Sequence, residues 1–128
     1  MKKIDLIQLP DLYAIFKIRI SDPLPKWLEF SNIFSITRDD IETTILYNQK
    51  DVLDIDDVDR DWVLFRISGV FDFDECGIVL SVIKPLSQNG IGIFLLSTFS
   101  SDLLLLKESD VIMAKNHLVK AGHKVQLI

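Results

Sequence analysis

Two segments in the C-terminal half carry the side chains best suited to bind a ligand. Residues 71–77 (Phe-Asp-Phe-Asp-Glu-Cys-Gly) join a predicted strand to a predicted helix, and residues 97–102 (Ser-Thr-Phe-Ser-Ser-Asp) form a predicted hairpin turn. Backbone N–H groups at a helix start favour a carboxylate ligand. The acidic side chains favour an ammonium group: Asp72, Asp74, Glu75 and Asp102. These features predict a site for a zwitterion; the alternative is two ordinary turns whose acids complement the helix dipole.

Motifs of catalysis and nucleotide binding are incomplete. Ser81-Val82-Ile83-Lys84 fits the S-x-x-K pattern of serine nucleophiles, but the companion motifs S-D-N and K-T-G are missing. We expect Ser81 and Lys84 to lie near the solvent side of their helix. The five glycines form neither a G-x-G-x-x-G nor a Walker loop. The sequence therefore predicts a protein that is not an enzyme and has no cofactor.

Metal ligands do not occur at the spacings that metal sites need. An EF-hand loop that starts at Asp57 would need glycine where Trp62 stands and glutamate where Ser68 stands. The acidic stretch 51–61 is therefore predicted to be a solvated link. His117 and His123 are expected on the surface, distant in sequence from the only cysteine, Cys76. We predict no metal site.

Length and charge narrow the class of protein. The chain has 128 residues, of which 48% are hydrophobic, and its length suits one compact unit. Its net charge of −5 argues against nucleic acid and anionic membranes as partners. A single cysteine excludes an internal disulfide. No apolar run approaches the roughly 20 residues that span a bilayer, so we predict a cytoplasmic protein.

The second half of the chain predicts alternating strands and helices. Apolar residues alternate over 62–70, which indicates a strand, and Ile78, Val79, Val82, Ile83 and Leu86 recur at helical spacing. Pro85 inside this helix predicts a kink or a tight last turn. Residues 91–97 are apolar on both faces, which predicts a buried central strand. A strand over 103–107, a helix over 111–121 and a short strand at 125–127 complete a ferredoxin-like βαββαβ order.

The first half resembles an abbreviated copy of the second. It predicts a strand over 13–20, a short helix near 26–30 and a hairpin of strands 33–37 and 41–47. Tyr13-Ala14-Ile15-Phe16-Lys17-Ile18 matches Trp62-Val63-Leu64-Phe65-Arg66-Ile67, and residues 33–37 match 93–97 in the same order. The repetition predicts a tandem of two related units.

Six motifs lie over nearly the whole chain, and the turn Ser-Thr-Phe-x-x-Asp is the most specific of them. The motifs are Leu24-Pro25-Lys26-Trp27, Phe34-Ser35-Ile36-Thr37-Arg38, Phe73-Asp74-Glu75-Cys76-Gly77-Ile78-Val79, Lys84-Pro85-Leu86, Gly90-Ile91-Gly92-Ile93-Phe94 and Ser97-Thr98-Phe99-Ser100-Ser101-Asp102. Together they resemble the ACT domain, and more narrowly the small tandem-ACT proteins of bacteria and the CASTOR-type arginine sensors.

The resemblance implies a regulatory protein that binds an amino acid without catalysis. It implies an α+β fold of two ferredoxin-like ACT units packed side by side, an abbreviated unit at 1–60 with the acidic link and a complete unit at 61–128. The ligand would lie at the interface of the two units. Its implied contacts are Ser35, Ile36, Glu75, Gly77, Ile78, Thr98, Phe99 and Asp102.

The two carboxylates in this set suit a cationic amino acid, arginine or lysine. The arginine sensors have four ACT units, so their partner-binding surfaces do not transfer to this chain. A homo-oligomer or a regulated protein partner fits the same resemblance. The alternative function is a protein–protein interaction or oligomerisation module that has lost ligand binding.

Overall fold

The computed structural model describes residues 4–29, 32–67 and 77–127, which form an α+β fold. These residues group into two compact units. The N-terminal unit comprises 11–61, and the C-terminal unit comprises the described residues of 1–10 and 62–128. The strands are β1 (Asp5–Arg19), β2 (Ser35–Arg38), β3 (Glu42–Asn48), β4 (Asp59–Ile67), β5 (Ile93–Ser97), β6 (Asp102–Lys107) and β7 (Lys124–Leu127), and the helices are α1 (Ile78–Ser87) and α2 (Val111–Lys120).

In the C-terminal unit, β6 lies between β4 and β5 and runs antiparallel to both. The predicted ferredoxin-like order places its first and third strands side by side, as β4 and β6 are here. The last strand departs from the simple order, because β7 pairs with the start of β1, with Asp5 opposite Lys124.

Helix α1 forms as its apolar spacing predicts. It buries Ile78, Ser81, Val82 and Leu86. It ends in a Schellman motif, in which Ile91 N–H donates to the Leu86 carbonyl at 3.1 Å and Gly90 N–H to the Ser87 carbonyl at 3.1 Å. Gly90 supports this ending because its φ is +72°. In the described parts of the chain, no helix is long and apolar enough to cross a bilayer.

Strand β5 lies at the end of the strand order, so the prediction of a buried central strand over 91–97 was wrong. Its side chains from Ile93 to Leu96 are half-buried. By contrast, the four residues Leu103–Leu106 of β6 are all buried. Both the edge strand β5 and the strand β6 between two neighbours thus carry an apolar run without alternation. Such a run does not distinguish the two positions in the sheet.

The N-terminal unit has the strand order β1–β3–β2, with both pairs antiparallel. Its core contains Ala14, Phe16, Ile45, Tyr47 and Val52, against which half-buried apolar side chains pack. The predicted helix near 26–30 is absent from the described residues. Lys26 and Trp27 form a turn, and Leu28 N–H donates to the Pro25 carbonyl at 3.1 Å. A helix of about five residues forms too few i→i−4 hydrogen bonds to offset the cost of nucleation.

The prediction of two surface histidines was wrong for His123, which is 4% exposed. Its Nδ1 accepts the Ile4 N–H at 3.0 Å, so Nε2 carries the proton and donates to the Ser81 carbonyl at 2.7 Å. That carbonyl would ordinarily accept the N–H of residue 85, four positions later, but residue 85 is proline. His123 therefore supplies the hydrogen bond that Pro85 removes from α1.

Ser81 is also buried, at 1% exposed, and was predicted near the solvent side of α1. Its hydroxyl donates to the Ile78 carbonyl at 2.7 Å. Lys84 is exposed, so the two polar residues of the S-x-x-K match lie in different environments. Because the Ser81 hydroxyl is satisfied inside the fold, its role is structural.

Candidate functional site

Asp102 lies where three strands of the C-terminal unit meet. It is the first residue of β6 and pairs with Ser97 of β5 on one side and Ile67 of β4 on the other. The Ser97 hydroxyl donates to Asp102 Oδ1 at 2.6 Å. Asp102 is half-buried. The carboxylate is therefore held in one orientation at the end of the sheet where β4 finishes.

Sequence reasoning did not assign a role to Ser97. The signal that could have found it is the hairpin itself, because a four-residue turn places residues 97 and 102 opposite each other on paired strands. Their side chains then lie on the same face of the sheet. A hydroxyl opposite a carboxylate predicts the hydrogen bond that the structure has.

The turn at 98–101 is rigidified by Thr98. Its backbone N–H donates to the Ser101 carbonyl at 2.8 Å, and its hydroxyl donates to the same carbonyl at 2.9 Å and accepts the Ser101 N–H at 3.0 Å. The Thr98 hydroxyl also lies 3.1 Å from that of Ser101. Thr98 thus shapes the turn with its side chain. The next residue, Phe99, presents a ring that is 83% exposed.

The start of α1 carries two further predicted contacts. Gly77 precedes the helix with a φ of +84° and offers no side-chain cap. The first turn of an α-helix has N–H groups without intrahelical acceptors, and these are suited to a carboxylate. Ile78 is 4% exposed, so its side chain belongs to the core and its backbone is what a ligand could contact. The predicted contact Glu75 lies outside the described residues.

Ser35 and Ile36 are placed in β2 of the N-terminal unit. Ser35 is half-buried opposite Leu46, and Ile36 is 39% exposed opposite Ile45. The described structure therefore brings together Ser97, Thr98, Phe99 and Asp102 around one turn. Joint binding by these residues and those of β2 stays a prediction.

A metal ion has no evident place at this site. Among the described residues, no group of three or more histidine, cysteine or acidic side chains is arranged to hold a metal ion. The chemistry available is that of hydrogen bonds, one oriented carboxylate and an aromatic face.

Comparison with known proteins identifies a family that this chain matches. A sequence profile of the ACT domain matches residues 57–120. The protein Atu0741 from Agobacterium tumefaciens is 41% identical to this chain, and the match covers 100% of this chain and 96% of that one with a TM-score of 0.92. No protein of curated function matches the chain.

Two more distant structures share the fold. VC0802 from Vibrio cholerae, described as a possible transport protein of unknown function, is 12% identical with a TM-score of 0.72 over 94% of this chain and 91% of that one. The aspartate kinase of Clostridium acetobutylicum, described as an allosteric enzyme, is 10% identical with a TM-score of 0.63. This second match covers 87% of the present chain and 33% of the kinase chain. At these identities the likeness concerns architecture.

Proposed function

The chain belongs to the ACT-domain family, and on that premise we propose that it is a regulatory protein that senses a free amino acid and catalyses no reaction. The match of an ACT profile to residues 57–120 supports the regulatory class. The fold likeness to an allosteric aspartate kinase is compatible with it. The observation that carries the proposal is Asp102, an oriented carboxylate beside the end of β4.

The proposed site combines opposite charges for the two ends of an amino acid. The first-turn N–H groups of α1, beyond Gly77, would receive the ligand carboxylate. Asp102 and Glu75 would bind its cationic groups, and Phe99 would cover its side chain. Two carboxylates repel each other until a cation arrives, which favours arginine or lysine, as in the arginine sensors that the sequence resembles. Ser35 and Ile36 would complete the set from β2.

The same proposal includes a tandem of ACT units, an abbreviated one at 1–60 and a complete one at 61–128. Its support is that each unit contains a strand followed by an antiparallel hairpin whose second strand pairs with the first. The ligand would lie at the interface of the two. The whole chain is therefore the object to test.

The experiment is a thermal-shift screen of the full chain against the standard amino acids, followed by calorimetry on those that bind. A ligand that binds only the folded state adds roughly 2.7 kcal/mol of stability at one hundred times its Kd. We expect arginine or lysine to raise the Tm by several degrees. Absence of any shift at millimolar concentrations would contradict the proposal.

Asp102→Asn tests the site, because asparagine keeps an acceptor for Ser97 and removes the charge. We expect affinity to fall about tenfold or more, since a charge-assisted hydrogen bond contributes roughly 1.5–3 kcal/mol. The control is Asp40→Asn, which removes an exposed charge from the turn between β2 and β3. Equal affinities in the two variants would place the ligand elsewhere.

A second candidate function is an oligomerisation module. The observation that favours it is β5, which ends the strand order and carries the half-buried apolar side chains from Ile93 to Leu96. An edge strand of this composition can pair with another chain. Sedimentation would show a dimer, and Leu95→Lys would convert it to a monomer; a monomer at all concentrations would exclude this candidate.

A further inference from the structure

An open cavity of about 590 Å³ lies at the surface of the N-terminal unit, and the described residues that line it are Leu24, Leu28, Glu29 and Phe34. Its size falls in the range of small-molecule sites, which are mostly apolar and have a few polar groups. Three of the four lining residues are apolar, and Leu24 is 43% exposed. All four belong to the N-terminal unit, 11–61.

The walls of this cavity are fixed by one tyrosine. The Tyr47 hydroxyl donates to the Glu29 carbonyl at 2.6 Å and accepts the Glu29 N–H at 3.3 Å. The Phe34 ring meets the Tyr47 ring edge-on, with centroids 6.4 Å apart. Tyr47 is itself 4% exposed, so it holds both walls from inside the core.

Glu29 is the charged residue among the described lining residues. Both of its backbone polar groups are engaged by Tyr47, so the carboxylate is the group that it can offer to a ligand. A carboxylate beside an apolar lining attracts a cation that carries an apolar body, and it repels an anion. The described lining residues include no cation that could bind a ligand carboxylate.

We propose that this cavity binds a small organic amine, an ammonium group on an aromatic or aliphatic body, without an adjacent carboxylate. The apolar body would pack against Leu24, Leu28 and Phe34, and the ammonium group would reach the Glu29 carboxylate. This site goes beyond the amino-acid site proposed above and takes a different class of ligand. An amino acid fits it less well because its own carboxylate would face Glu29.

The test compares 2-phenylethylamine with phenylalanine and 3-phenylpropionate by calorimetry on the full chain. The first two differ only in the α-carboxylate, and the third replaces the ammonium group by a carboxylate. We expect the amine to bind and both carboxylate-bearing probes to bind at least about fivefold more weakly. Equal binding of amine and acid, or no binding of the amine at millimolar concentrations, would overturn the proposal.

Two variants localise the binding. Glu29→Gln should weaken the amine by about threefold to fivefold, the size expected for an exposed ion pair, whereas Glu108→Gln, an equivalent exchange in the other unit, should leave it unchanged. Tyr47→Phe removes the hydroxyl that fixes Glu29 and should weaken the amine while keeping the ring in the core. Backbone amide NMR shifts should change around residues 24–29 and 34. Unchanged affinity in Glu29→Gln would contradict the site.

Asp102→Asn separates this inference from the proposed function. The variant should retain amine binding in full, because Asp102 is not among the described residues that line the cavity. Loss of amine binding in Asp102→Asn would assign both ligands to the turn and would overturn the cavity proposal. Retention in Asp102→Asn together with loss in Glu29→Gln would support it.

Discussion

Strands β1, β3 and β2 of the N-terminal unit repeat the order and directions of β4, β6 and β5 in the C-terminal unit. Corresponding rows run across the strands of the two units: Phe16–Ile45–Ile36 in one and Phe65–Leu104–Leu95 in the other. The units differ in what lies between the first strand and the hairpin. In the C-terminal unit the segment includes helix α1, whereas the corresponding described residues 20–29 have no helix.

The difference shows that strands in the same order can be covered in two ways, by a helix or by aromatic side chains. Helix α1 places an apolar stripe in the core through regular backbone hydrogen bonds. The N-terminal unit instead uses rings: Trp27 lies 6.1 Å from Phe16 and 5.7 Å from Tyr47 between centroids. Aromatic side chains bury a large area per residue. A short segment with prolines can therefore cover a sheet where a helix would not form.

The rows also correct the predicted repeat. The sequence match aligned residues 33–37 with 93–97 and so placed Ile36 with Leu96. In the strand pairing, Ile36 lies opposite Ile45, the partner of Phe16, and Leu95 lies opposite Leu104, the partner of Phe65. Ile36 therefore corresponds to Leu95. A shift of one residue exchanges the two faces of a strand. The match between strands 13–18 and 62–67 is in register.

The largest expected effect tests the two equivalent phenylalanines. Phe65 is 0% exposed, and Phe16 is 4% exposed beside the half-buried Trp27. We expect Phe65→Ala to lower the free energy of unfolding by about 4–5 kcal/mol and Phe16→Ala by about 3 kcal/mol, because Trp27 can move into the space. Urea denaturation of both variants measures the difference. A greater loss of unfolding free energy in Phe16→Ala would show that the aromatic side chains around Phe16 adjust less than the surroundings of Phe65.

The next prediction concerns the buried histidine that completes α1. His123→Phe leaves the Ile4 N–H and the Ser81 carbonyl without their partner, which should cost about 2–4 kcal/mol. In a Pro85→Ala background, the N–H of residue 85 can donate to Ser81, so the same change should cost about 1 kcal/mol less. Chemical denaturation of the four proteins gives the coupling.

His117→Phe is the matched control for this cycle. His117 is half-buried on α2, and its replacement should have a small effect. An equal cost of His123→Phe in both backgrounds would mean that the hydrogen bond to Ser81 adds nothing. The interpretation that His123 supplies the hydrogen bond that Pro85 removes from α1 would then be wrong.

The smallest expected effect compares the hairpin turns of the two units. Asp39 accepts the N–H groups of Glu42 and Ile41, each at 2.8 Å, and these bonds hold the pKa of its carboxyl below the ordinary value of 3.8. Its stabilising contribution is therefore complete above pH 3.8 and is lost as the pH falls through the lower folded-state pKa. The turn at 98–101 uses the hydroxyl of Thr98, which does not titrate.

Asp39→Ala and Thr98→Val make this contrast measurable. We expect the stability difference between wild type and Asp39→Ala to shrink as the pH falls below the ordinary carboxyl value. The difference for Thr98→Val should stay constant over the same range. Denaturation curves between neutral and acidic pH measure both. A constant difference for Asp39→Ala would show that its charged form does not stabilise the turn.

The sequence predicted helix α1 and most of the strands, because their signals are local. Apolar spacing and the glycine that ends α1 act over a few residues, and alternation predicted β4. The pairing of β4 with β6 places Asp102 at the end of the sheet where β4 finishes, and its part in ligand binding stays a prediction. The half-buried state of Asp102 and its bond from Ser97 depended on strand pairing, which residue types alone do not give.

Composition, period and turn residues thus predicted the α+β class, whereas the contacts proposed for the ligand came from the resemblance to the ACT domain. The tertiary structure decided the pairing of β7 with β1, the place of β5 at the edge and the burial of His123. The bond between Ile4 and His123 joins residues 119 positions apart. No local pattern encodes such a contact, because burial and pairing depend on which distant segments the whole fold brings together.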